Sequence, residues 1–193
     1  MLTAKKSNRA RWRVLVTWLM LAACMASAGG SKSVGEYQVK AVFLYNFTKF
    51  VSWPANAPTN TPFVIGIVGE DPFGTVLDEA VRQELMHNRP ILIQRLRDDE
   101  SATNCQMLFI SRSEKDRLND VLERVRGRAI LTVADAPQAA EQGVMINLLV
   151  VQGSVKMEIN QNAVEAAGLQ VSAKVLSLAR IVNTETDGTP SKP

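Results

Sequence analysis

The sequence predicts a single-domain, three-layer α/β sandwich with a mainly parallel sheet and an antiparallel C-terminal hairpin. Three observations carry that expectation. Short apolar runs rich in β-branched residues alternate with helical periods of about a dozen residues, the pattern of βαβ units. Two later apolar runs, 144–151 and 154–159, are separated only by Gln152-Gly153, a hairpin signal. Roughly 165 residues follow an N-terminal export signal without a linker or an internal repeat, which suits one domain with one core.

The first helix is expected over 34–52, where Val39, Phe43, Phe47 and Phe50 recur at helical spacing until Trp53-Pro54 stops the run. Tyr37, Leu44, Tyr45 and Val51 widen its apolar surface, so it should pack on two sides or touch a partner. Residues 63–68 read as a buried strand between Pro62 and Gly69. A helix over 73–85, a strand over 91–94 and a strand over 106–110 follow. Ser113 is a good N-cap for a helix over 114–126, in which Leu118, Val121, Leu122 and Val125 share one face. Gly127 ends it, and a fourth strand covers 129–133.

In the second arm of the hairpin Val155, Met157 and Ile159 alternate with Lys156 and Glu158. One face should be packed and the other wet, with Glu158 in water at an antiparallel edge. Asn160 ends that strand, and 161–167 and 173–182 read as helices around Gly168-Leu169. The polar stretch 183–193 lacks periodicity and is expected to be a disordered tail.

Ahead of all this, Lys5, Lys6, Arg9, Arg11 and Arg13 precede a short apolar stretch and Ala26-Ser27-Ala28, the layout of a signal peptide over 1–28. The domain is then expected over 34–182, in the periplasm. A second cleavage reading stays open: Leu21-Ala22-Ala23-Cys24 resembles a lipobox, which would leave a lipid anchor on Cys24. Loss of five basic residues leaves 17 Lys and Arg against 19 Asp and Glu, so the precursor's +3 becomes −2. Nucleic acid is thus not an expected partner, for want of a cation surplus that releases counterions.

The acid–base inventory is thin. His87 is the sole histidine and reads as a surface residue near a helix end. Neither a zinc ligand set nor a nucleophile turn is present, and no metal, cofactor or catalytic residue is expected. Asp98-Asp99-Glu100 reads as a solvated turn. The run from Gly66 to Gly74 sits where doubly wound folds bind ligands, yet its spacing is not that of a phosphate loop, and Glu70 and Asp71 would repel a phosphate. Arg124, Arg126 and Arg128 complement a helix C-terminus or hold an anion or partner. Cys105 reads as a small buried hydrophobe.

From 41 to 54 the chain reads Ala41-Val42-Phe43-Leu44-Tyr45-Asn46-Phe47-Thr48-Lys49-Phe50-Val51-Ser52-Trp53-Pro54. With the segments beginning at Cys105, Leu131, Gly143, Glu158 and Ala167, this ordered set resembles the YfiR family over about 36–182. The resemblance implies a periplasmic α/β protein, often a homodimer, that binds the periplasmic sensor domain of a membrane GGDEF diguanylate cyclase and represses it. Cyclic di-GMP and biofilm formation would fall, and an outer-membrane lipoprotein would release the repression by sequestering the repressor. It further implies a partner surface at Glu158, Asn160 and Val164, with Arg180 as a candidate for an anionic ligand or partner carboxylate. Many members pair the cysteine at the position of Cys105, and here the mature chain offers it no partner. The competing reading is a periplasmic receptor for a nucleotide or amino acid.

Overall fold

The computed structural model describes residues 31–54, 61–97 and 100–182. The expected signal peptide with Cys24 and Ala28, the Asp98-Asp99 pair and the tail 183–193 lie outside the described residues. Met1–Gly35 and Glu36–Pro193 form two units, and the fold described here is that of the second.

Helix α1 (Ser31–Phe50) leads into a two-residue strand β1 (Val51–Ser52). Val51 is β-branched and Trp53-Pro54 follows, so the helix yields there and Val51 pairs with Val171 of strand β9 (Gln170–Val171). The buried face of α1 runs through Lys40, Ala41, Leu44 and Phe47, whereas Val39 and Val42 are exposed. The stripe is therefore rotated from the expected one, and it contains a lysine.

Eight strands form the main sheet: β2 (Phe63–Val68), β3 (Leu85–Met86), β4 (Arg89–Leu96), β5 (Met107–Ile110), β6 (Leu131–Ala134), β7 (Ile146–Val151), β8 (Ser154–Asn160) and β10 (Arg180–Val182). Their spatial order is β10-β8-β7-β6-β5-β2-β4-β3. The pairs from β4 through β7 are parallel, and β7 with β8 makes the expected antiparallel hairpin. Helices pack on both faces. Phe63, Ile65, Ile67, Met107 and Phe109 meet α1 and helix α2 (Val76–Val81) on one side. Val68, Leu108 and Ile110 meet helix α3 (Leu118–Val125) on the other. The three-layer sandwich and its mainly parallel sheet match the expectation.

Five local expectations are corrected. The helix over 73–85 shrinks to α2, because His87 and Asn88, with φ of 49° and 64°, form the tight turn that lets β3 pair back on β4. His87 thus lies in a hairpin turn rather than at a helix end. Ser113 is not a helix cap: Ser111 caps a 3-10 turn over Arg112–Arg117, and the Ser113 hydroxyl accepts the Glu70 N–H instead. The helix over 173–182 is four residues of α5 (Ala173–Leu176) followed by β10, which pairs parallel to β8. The hairpin is consequently not the sheet edge, since β10 lies outside it.

Candidate functional site

In doubly wound sheets ligands bind beyond the strand C-termini where the connections diverge. β2 has β4 on one side and β5 on the other, so that point lies past Val68 and Ile110. The turn that follows β2 is packed against the chain's own groups, while a cleft of about 480 Å3 lined by Val68, Leu96, Leu108 and Val121 lies on the α3 side. Gly69 adopts a φ of 86°, and a Cβ on it would stand 2.4 Å from Ser113 Oγ and 2.7 Å from Glu114 Cγ. The Glu70 N–H donates to Ser113 Oγ at 2.9 Å, and the Phe73 ring meets Phe109 and Tyr37 edge-on at 4.8 and 5.4 Å. Asp71 is held at 2.7 Å by Arg95, which also binds Asp78 and keeps that carboxyl below the usual range. The glycine-rich run is therefore a packed turn.

Beside it lies a buried polar cluster. Asp135, directly after β6, accepts from Lys40 Nζ and from the Tyr37 hydroxyl, both at 2.8 Å on Oδ2. Its Oδ1 accepts the Arg112 N–H at 3.0 Å, and its main-chain oxygen accepts from the Arg112 guanidinium. Lys40 has no exposed surface and also binds Glu36 at 2.5 Å. Burial, and then the hydrogen bond to Asp135, push the Tyr37 hydroxyl well above the usual phenol range. The cluster pins α1 across the strand ends, and each of these groups is engaged by another in it. The sequence signal for it existed: a lysine between Tyr37 and Leu44, inside the apolar stripe, requires a buried carboxylate.

The predicted partner residues form a second polar seam. Glu158 does not face water; it is 7% exposed. Asn147, its register partner on β7, donates to Glu158 Oε2 at 3.0 Å and to the Ala136 carbonyl at 2.9 Å. On the other side β10 places Arg180 opposite Glu158, and the guanidinium donates to Glu158 Oε1 and, at 3.2 Å, to Glu141. Arg180 lies on a strand, not a helix, and its pairing with Glu158 and then Glu141 holds the guanidinium above its usual range. The wet-face expectation failed because it treated β8 as an edge: with β7 and β10 on either side, the Asn147 and Arg180 side chains flank Glu158 and bond its carboxylate.

Asn160 is fully buried. Its Oδ1 caps helix α4 (Gln161–Ala166) by accepting the Ala163 N–H at 3.0 Å, and its Nδ2 donates to the Ala140 carbonyl at 2.9 Å. Val164 packs inward from α4 into the core. The structure thus joins Glu158 to Arg180 and makes Asn160 and Val164 supports of α4; of the four, only Arg180 is exposed.

Next to α4 an apolar cleft of about 260 Å3 is lined by Ile159, Val164, Leu169, Val171 and Leu176, with Gln161 and Glu165 among its polar residues. Cys105 is a buried free thiol whose pKa burial pushes up to about 11, and Sγ lies 2.7 Å from where a Cβ on Gly66 would stand. Among the described residues no group of three or more His, Cys, Asp or Glu is placed to hold a metal ion, and no helix is long and apolar enough to cross a membrane.

No curated protein matches the sequence. A family model described as YfiR/HmsC-like matches residues 37–180. Among solved structures, the ABC domain in complex with L-Trp from Streptococcus pneumonia is similar in fold, with a TM-score of 0.53 and 11% identity. The match covers 76% of this chain and 60% of that one.

Proposed function

The chain belongs to the YfiR/HmsC-like family, and from that premise we propose that it is a periplasmic repressor of an inner-membrane GGDEF diguanylate cyclase. Family membership supports a role as a periplasmic regulator of cyclic di-GMP signalling. In this reading a signal peptide over 1–28 exports the domain at 34–182, which binds the cyclase's periplasmic sensor domain and favours its inactive state. A binding protein shifts that equilibrium only through its difference in affinity for the two states. Release by an outer-membrane lipoprotein would raise the messenger.

The observation that carries the proposal is the family match over 37–180. The packed turn past β2 is compatible with it, because Gly69, Ser113 and Phe73 are engaged by neighbouring side chains rather than left open as a phosphate loop would be. At the predicted partner surface Arg180 is the contacting group, while Glu158, Asn160 and Val164 hold the edge strand and α4 in place. Deleting the gene should raise cyclic di-GMP, and restoring the exported chain should lower it; unchanged messenger in both cases removes the proposal.

The cleft beside α4 favours a second reading, a receptor for a nucleotide or amino acid, which is compatible with the first if the ligand tunes repression. A ligand-dependent rise in melting temperature against panels of both classes would support it; no rise would remove it.

A further inference from the structure

The flank of α4 and the C-terminal half of α3 enclose a groove of about 570 Å3. Leu122 and Val125 of α3 give it apolar walls, and Ala163, Ala166 and Ala167 let another chain approach closely. Its charge comes from the turn after α3. Arg126 leaves helical geometry at φ −55° and ψ 137°, and Gly127 reverses the chain at φ 70°, so Arg126 and Arg128 both stand at the groove mouth.

A structural duty does not account for this pair. Arg124, in the last turn, already complements the negative end of α3; Arg126 and Arg128 lie past it. Arg126 binds Glu123, the acidic residue of the groove rim, through side chains 75% and 59% exposed. Such a pair holds weakly and exchanges readily for a better carboxylate. Arg128 has no ion-pair partner among the described residues, and it also rims the neighbouring cleft that contains Asn104 and Gln106.

We infer that this groove docks an acidic amphipathic segment of a protein partner, its apolar side chains on Leu122 and the alanines and its carboxylates on Arg126 and Arg128. Guanidinium forks bind carboxylates through two parallel hydrogen bonds, which fixes register as well as charge. The inference rests on the repressor reading and adds a second contact surface to the one at Arg180.

The test expresses the full chain in a strain lacking the native gene and measures cyclic di-GMP against the amount of exported protein. The parent chain should lower the messenger. Arg126→Glu with Arg128→Glu should need about tenfold more protein or more to do so. Arg126→Lys with Arg128→Lys keeps the charge but not the forked hydrogen bonds and should fall between the parent chain and the reversal. Ala166→Trp, which fills the groove without changing charge, should lose it as the reversal does, and it decides the matter should the reversal variant melt early. If reversal and filling both leave repression intact, the groove inference falls and the repressor reading stands; if the parent chain lowers nothing, both fall. Binding of the purified domain to protein-free anionic phospholipid vesicles, abolished by the reversal, would assign the arginines to headgroups and overturn the inference.

Discussion

Lys40 shows how one buried charge organises a fold. Its ammonium, wholly out of water, is balanced by Asp135 and Glu36, and Asp135 in turn orders Tyr37 and Arg112. Breaking such a pair from one side is costly, because the remaining charge stays buried. Lys40→Met should therefore destabilise the domain by about 3–5 kcal/mol in urea denaturation. Adding Asp135→Asn should recover part of that loss, and a neutral Lys40→Met would refute the account. Cys105 makes a second residue-scale prediction. Burial raises its folded pKa from 9.0 to about 11, so its contribution is complete below pH 9 and lost as pH rises through 11. Cys105→Ala should flatten the stability profile in that window. The native thiol should also resist alkylation at pH 8 until urea exposes it.

At the scale of elements, β10 is the informative case. It touches the sheet through three register pairs with β8, and the Arg180–Glu158 ion pair reinforces the first of them. Glu158→Ala removes the acceptor of both Asn147 and Arg180 and should cost about 1–3 kcal/mol. Hydrogen exchange should then speed at Ile181 and Val182 while β5 and β6 stay protected. Gly69→Ala should destabilise as well, since a Cβ at φ 86° would strike Ser113 and Glu114. The reading of elements succeeded where local signals were complete. The strand at 63–68, the strand before Ser111 and the hairpin turn at Gln152-Gly153 all carry their own punctuation. It failed at 73–85 and 173–182, where helical spacing of apolar residues extended across β3 and β10, strands too short to show a period of two.

For the whole molecule, protection from exchange should fall from the central strands β2, β5 and β6 towards β3 and β10 at the two edges, because only the former are covered on both faces and both sides. Equal protection at β5 and β10 would contradict that picture. Sequence alone determined the fold class, the hairpin and the family, since apolar period, turn residues and ordered motifs are local properties of a chain. Tertiary structure alone decided that Glu158 is buried, that Arg180 lies on a strand and that Ser113 packs on the turn past β2. Each of those outcomes depends on which segment lies alongside: β10 against β8, Ser113 against Gly69, and Lys40 against an aspartate 95 residues away. Partners so distant leave no mark on local periodicity.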